Sequence, residues 1–325
     1  MLIQPKHIYL IAGSVFLYLG TAALADTAHA IDWDEADVLE TRVFHPGQAS
    51  WEWALTPADH SSRAVERFRD EGRNCQYCHG DEIDDLGDEI ASGEGAAPEP
   101  EPFDHRPGWI DLEVRAAHDG ERMYWRLAWE AQDDGGDPMD PDHPARATVM
   151  FAQDNVREAT RAGCWGACHD DLRGMESDTE DLDLTKYLAA SRTEIGRSGG
   201  GENYRDDDEL AGMIGDRQFF EYWQTLFSEG DEVDPISGYV LEARHEHDSH
   251  AVETELVEDG DRRVVVLSRA MDAKGDTQLP LASGTTYHGG FAVHEGGTDG
   301  RFHYVSLEYS FSIDSDDGDI AVMEQ

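Results

Sequence analysis

From Trp109 onward the chain alternates apolar and polar residues with a period of two: Ile110, Leu112, Val114 and Ala116, then, past Asp119-Gly120, Met123, Trp125, Leu127 and Trp129. Successive side chains on a strand point to opposite faces, so the alternation predicts two half-buried strands, and Asp-Gly between them predicts a hairpin. Runs at 147–151, 239–244, 263–268, 287–294 and 303–310 read as strands too. At least seven short strands separated by Gly and Asp turns predict a mainly β fold, an antiparallel β-sandwich. Ahead of it the period changes. Ala64, Val65 and Phe68 share one face of a helix predicted over 63–71, with serines before it to cap it and Gly72 to end it. Residues 91–102, rich in Gly, Pro and acids, read as a linker. The predicted layout is a targeting segment over 1–30, a small helical unit with its linker over 31–104, and the sandwich over 105–325. A long insertion at 152–238 interrupts the sandwich, with helices predicted over 184–191 and 218–227. Insertions of that length in a compact domain are usually functional.

The N-terminal 30 residues carry Lys6, an apolar run from Ile8 to Leu19, and then Ala23-Leu24-Ala25 and Ala28-His29-Ala30, both of the small-x-small cleavage type. That is the pattern of a secretory signal. The run is shorter than the ~20 residues a spanning helix needs, so the expected product is periplasmic, without stable membrane insertion; an uncleaved anchor is the alternative. Asp and Glu number 70 against 25 Lys and Arg, a formal charge of -45. Such a charge excludes nucleic acid as a partner, because phosphate binding needs cationic side chains. The carboxylates are spread through nearly every segment, which fits adaptation to high salt better than a dedicated acidic docking patch. With 8 Trp, 11 Tyr and 11 Phe the chain still has ample material for a core.

All four cysteines fall in two clusters, each ending in histidine: Cys75-Gln76-Tyr77-Cys78-His79 and Cys164-Trp165-Gly166-Ala167-Cys168-His169. C-x-x-C-H is the attachment signature of c-type haem, in which two thiols bind the vinyl groups and the histidine is an axial iron ligand. A redox dithiol would be expected on a βαβ scaffold, and a zinc site would need further ligands at regular spacing. The second cluster has one extra spacer residue. On spacing alone it reads as a variant haem site, a Cys164–Cys168 disulfide or a structural metal site. For the sixth ligand of the first haem the candidates are His60, which precedes the predicted helix, with His45, His105 and Met123 behind it. Arg173, Arg192 and Arg301 suit haem propionates. His245-Glu246-His247-Asp248-Ser249-His250 reads as a solvated strand end rather than a metal site, and Asp206-Asp207-Asp208-Glu209 lacks calcium-loop spacing.

The segment Gly163 to Met175 resembles the haem-binding segment of cytochromes related to the ethylbenzene dehydrogenase haem subunit. So do Phe291-Ala292-Val293-His294-Glu295, the stretch Gly300 to Leu307, and the hairpin Trp109 to Glu130. The resemblance implies a β-sandwich holding one haem between an inserted loop and a C-terminal strand. Members without cysteines hold a b haem through Met and Lys. This chain departs from them in its cysteine pair and His169, and His303 stands where the lysine would be expected. The resemblance therefore implies a second haem ligated by His169 and His303. In similar two-haem members a His-Ser pair precedes a helix like the one after His60-Ser61, which implies His60 as an axial ligand. Two haem c groups, both six-coordinate, imply an electron carrier with no catalytic residues of its own, serving redox partner proteins; a molybdenum oxidoreductase of the dimethyl sulfoxide reductase type is one implied partner. The alternatives are a dihaem reductase or peroxidase with one open iron, or the haem subunit of a molybdenum oxidoreductase complex.

Overall fold

The computed structural model describes residues 31–46, 60–94, 106–132, 142–168, 187–194, 203–228, 232–249, 251–295 and 303–325. The expected cleavage sites lie outside these residues, as do His105, His169, Arg173 and Arg301, and the side chain of Cys168. Among the described residues no helix is long and apolar enough to cross a membrane.

Strand β1 (Val38–Phe44) opens the chain, followed by three helices, α1 (Ser62–Arg69), α2 (Cys75–His79) and α3 (Ile83–Ala91). The hairpin β2 (Trp109–His118) and β3 (Arg122–Glu130) and strand β4 (Ala145–Gln153) come next, then α4 (Arg157–Ala162) and a 3-10 turn (Gly163–Gly166). Two short strands, β5 (Ala167–Cys168) and β6 (Tyr187–Leu188), pair only with each other. After α5 (Asp207–Gly215) the chain is β to its end. Its strands are β7 (Phe220–Phe227), β8 (Val233–Val240), β9 (Arg244–Glu246), β10 (Glu253–Asp259), β11 (Arg262–Ala270), β12 (Thr286–His294), β13 (Tyr304–Val305), β14 (Tyr309–Ile313) and β15 (Ile320–Glu324).

Thirteen of these strands form one sheet of order β10-β11-β3-β2-β1-β13-β12-β4-β7-β8-β9, with β14 on β12 and β15 bridging β14 and β2 in parallel. The ends of the sheet curl towards each other, so that β11 lies against β7 and β10 against β8. Thr225 and Thr254 close the seam with a 2.7 Å hydroxyl contact. The alternation along β2 buries Ile110, Leu112, Val114 and Ala116 as predicted. The core they enter is aromatic. Trp125 meets Phe311 edge-on at 4.9 Å, and Phe151 meets Trp223 at 5.5 Å. Such pairs contribute about 0.5–1.5 kcal/mol each beyond burial. One ion pair lies inside this core, Arg269 Nε to Glu221 Oε1 at 3.0 Å, and Glu221 also accepts from Trp223 Nε1 and the Leu279 N–H. Removing one partner of such a pair costs about 3–5 kcal/mol.

The mainly β architecture agrees with the sequence reading, and several local expectations are corrected. Residues 218–227, expected as a helix, form β7, whose eight residues are all buried. Both faces of this strand are covered, so no period-two pattern is visible, and its Phe, Tyr, Trp and Thr content is that of a strand. The sandwich therefore resumes at 220, and the insertion ends before it rather than at 238. In the expected helix 184–191, residues 187–188 are strand and 189–191 a 3-10 turn. The expected strand at 303–310 is broken by Ser306-Leu307-Glu308, where Ser306 Oγ turns inward to accept the Phe291 N–H. The run at 239–244 is likewise split between β8 and β9. Finally, β1 comes from the segment ahead of the expected domain boundary and pairs with β2 along its full length, from Val38 opposite Arg115 to Phe44 opposite Trp109. Of the three helices, α3 packs against β1 and β2. Helix α3 touches the sheet backbone to backbone at Gly87 and Gly108, where a Cβ on either would collide with the other.

Candidate functional site

The first cysteine cluster forms a helix of its own. Asn74 caps α2 by accepting the Tyr77 N–H at 3.0 Å, and the i, i+3 spacing puts Cys75 and Cys78 on one side. His79 follows at the end of this single turn. Ahead of it, Ser61 caps α1 through the Ala64 N–H at 3.2 Å, which places His60 just outside the first turn. Gly72, at φ 79°, reverses the chain between the two helices, and its carbonyl accepts from Arg161 of α4. The helical segment is tied to the sandwich from below as well. Glu308, between β13 and β14, accepts the Gln76 N–H at 2.9 Å across 232 residues of sequence.

These elements enclose a cavity of about 390 Å³. Cys75, Cys78, His60 and His79 face it, Leu86 adds apolar surface, and Trp165 and Leu307 close it from the sandwich side. The imidazole rings of His60 and His79 are 6.1 Å apart, centroid to centroid, and cross at 82°. Two metal–imidazole bonds of about 2 Å laid end to end, with the ring radii added, span roughly 6 Å. The separation is compatible with both rings ligating one metal ion. Glu82 Oε2 lies 3.4 Å from His79 Nδ1, a proximity of an exposed carboxylate to the ring. Both thiols are free, and burial pushes the Cys75 thiol well above its ordinary value, keeping it neutral. An apolar cavity with two thiols on one helical turn and two neighbouring imidazoles suits a haem. Arg67 and Arg73 also line it, and the Arg73 guanidinium lies 4.0 Å over the exposed Tyr77 ring. Among the described residues these two arginines line the cavity; Arg192 is buried with its guanidinium 3.8 Å over Tyr204. The two other candidate sixth ligands among the described residues do not line the cavity: Met123 is part of the sandwich core and His45 is buried beyond Phe44.

The second cluster is anchored differently. Cys164 sits in the 3-10 turn after α4, buried, with its Sγ donating to the Phe291 carbonyl at 3.3 Å. It is a free thiol rather than half of a disulfide, and burial pushes it up to about 12. Gly163 before it has φ 61°, and a Cβ there would meet the Gly289 carbonyl at 2.6 Å and Glu308 Cα at 2.8 Å. Trp165 packs edge-on against Phe44 at 5.4 Å while lining the first cavity, so the second cluster borders the first site. His303 is half-buried just before β13 and stacks on His294 at 5.0 Å, with the rings 14° apart. Its expected meeting with His169 lies outside the described residues. Among the described residues no three His, Cys, Asp or Glu side chains gather as a metal-binding group. His245 and His247 instead flank Tyr239, with His245 bonded to Glu242 and His247 to Thr277. A larger cleft, about 850 Å³, is lined by Arg42, Trp109, Glu113, Glu130 and Arg262 among others, and contains neither cysteine nor histidine.

Sequence reasoning passed over Glu308, Arg67, Arg73 and the cavity-facing role of Trp165. Only Glu308 left a trace, as an acid inside the apolar run Leu307-Glu308-Tyr309.

The chain is 32% identical to a cytochrome c-552 of Stutzerimonas stutzeri over 317 residues, 96% of this chain and 97% of that one. It is 25% identical to a cytochrome c-551 of Rhodocyclus tenuis over 301 residues, 91% of this chain and 100% of that one. Among solved structures, a family 9 carbohydrate binding module from Caldicellulosiruptor kristjanssonii in complex with cellotriose aligns at a TM-score of 0.29 and 9% identity, covering 60% of this chain and 64% of that one. The likeness to c-type cytochromes suggests a haem-binding, electron-transfer role. The sequence profile described as ethylbenzene dehydrogenase matches residues 30–306, and by that match the chain belongs to the ethylbenzene dehydrogenase family.

Proposed function

We propose that this chain is a periplasmic dihaem c-type cytochrome that passes single electrons between respiratory redox partners and transforms no substrate itself. The observation that carries the reading is the cavity in which Cys75, Cys78, His79 and His60 converge, with the two imidazoles 6.1 Å apart. In this reading Cys75 and Cys78 hold the first haem, with His79 and His60 as axial ligands. Cys164 and Cys168 hold the second, with His169 and His303. Haem supplies a one-electron couple at its iron. The residues of this chain do the rest. At each site the two histidines would hold the iron and leave it no open position for substrate. Leu86, Trp165 and Leu307 would supply an apolar wall to the first haem. Arg67 and Arg73 would neutralise propionates. The partners are electron donor and acceptor proteins, a molybdenum oxidoreductase among them. The acidic surface serves solubility at high salt.

The test is the pyridine haemochrome spectrum of the purified protein, with haem counted per chain after acidic acetone extraction. Two covalent haems in a low-spin state support the reading, and no covalent haem overturns it. H60A is expected to leave both haems attached and to turn one of them high-spin, with a newly opened site for carbon monoxide. An unchanged low-spin spectrum would remove His60 from the ligand set.

A further inference from the structure

Glu308 is a buried carboxyl that the proposed electron-transfer role leaves without a task. It is 4% exposed and lies at the junction of the two attachment motifs. Its Oε1 accepts the Gln76 N–H, inside the first motif, and its Cα backs directly onto Gly163, which precedes Cys164. Its neighbour Leu307 lines the first cavity. Its Oε2 is buried without a hydrogen-bond partner among the described residues. Structural capping of α2 needs one oxygen, and the second is therefore available to hold a proton.

We propose that Glu308 is the proton-exchanging group of the first haem site, a carboxylate when the site is oxidised and a neutral acid when it is reduced. The proposal rests on the dihaem reading above. An electron delivered by a donor protein cancels one positive charge at the site, and Glu308 takes one proton from water. When an acceptor protein removes the electron, Glu308 returns the proton. One electron and one proton move in each direction.

The surroundings support this. Burial pushes the Glu308 carboxyl up to about 8, opposed in part by its own backbone N–H and those of Gln76 and Cys75, and raised further by Asp319. A group so placed changes its proton occupancy near neutral pH when one nearby charge changes. The groups facing it are the Cys75 thiol, which thioether formation would remove, Tyr309, Asp319 ahead of β15, and Arg161 of α4. Arg161 is the one cation in that set. Burial lowers its pKa, and its field favours the Glu308 carboxylate. His288 on β12 faces Asp154 and Asp319 instead.

The test is spectroelectrochemical titration of the intact two-haem protein across neutral pH, compared with E308Q. The glutamine keeps an oxygen for the Gln76 N–H but cannot titrate. In the parent protein the potential of one haem is expected to fall as pH rises, approaching one tenfold step in proton activity, about 59 mV, per pH unit. In E308Q that slope is expected to vanish, with haem count and low-spin spectrum unchanged. A slope retained in E308Q would place the proton on the haem propionates and overturn the proposal. So would a flat parent titration with both haems present, whereas a protein lacking the first haem would overturn the reading beneath it. Should E308Q fail to fold, the parent protein still decides through its reduced-minus-oxidised infrared spectrum. A protonated-carboxyl band must appear on reduction, and its absence overturns the proposal.

Discussion

His118 shows how single residues hold this fold. It is buried at the end of β2, accepts the Gly120 N–H at Nδ1 and so carries its proton on Nε2, which points at Asp314 Oδ1 2.9 Å away. Asp314 adopts φ 53° to reach it, and its hydrogen bonds from Ser283 and His118 hold its carboxyl below the usual range. A depressed folded value means stabilisation that is present above the unfolded pKa and fades as pH falls through the folded one. Asp314 is about one-third exposed, so screening keeps the effect small. D314N is expected to lower stability by about 1 kcal/mol at neutral pH. The difference from the parent should close below pH ~3.9, the ordinary carboxylate value. Denaturant midpoints at the two pH values check this, and a difference that persists in acid would assign the effect to backbone conformation. The same scale shows what the sequence could disclose of the candidate site. Cys75, Cys78 and His79 are legible because one helical turn brings them together. Glu308 and Trp165 reach the same cavity through contacts that no local period encodes, Gln76 to Glu308 spanning 232 residues.

At the scale of elements, the legible strands are those with one wet face. The hairpin of β2 and β3 announces itself by alternation, and Asp119 confirms it by accepting the Arg122 and Glu121 N–H groups in the turn. β7 hides because burial on both faces removes the alternation, and eight residues rich in aromatics fit a helix as readily on paper. β1 was hidden for another reason: its exposed residues, Val38, Glu40 and Arg42, mix apolar with polar, so its pattern is blurred. The turn at Gly163 offers an element-level test, because it seats the second cysteine cluster on β12. Its positive φ and the close approach of Gly289 and Glu308 leave no room for a Cβ. G163A is expected to cost more than about 1 kcal/mol of stability. It should also reduce haem attachment at Cys164 while leaving the first haem in place, read as haem per chain beside the unfolding midpoint. Full occupancy of both sites in G163A would show that the turn does not position Cys164.

At the scale of the whole molecule the charge governs. A formal charge of -45 on 325 residues, from 70 Asp and Glu against 25 Lys and Arg, leaves a large excess of like charge on the molecule. The cations present are engaged locally, as where Glu113 joins Arg115, Arg126 and Arg262 in one network. They leave most carboxylates to repel. At 0.1 M ionic strength the screening length is about 10 Å, long enough for each carboxylate to feel several others, and at 1 M it is about 3 Å. The folded state concentrates this repulsion more than the expanded chain does, so salt should stabilise it. The thermal midpoint of the loaded protein is therefore expected to rise steeply between these two salt concentrations. The rise should appear with potassium chloride, which screens, and not only with sulfate, which also strengthens apolar burial. A midpoint insensitive to potassium chloride would mean that the carboxylates are balanced by bound cations. The acidic surface would then be a set of cation sites rather than a screened cloud.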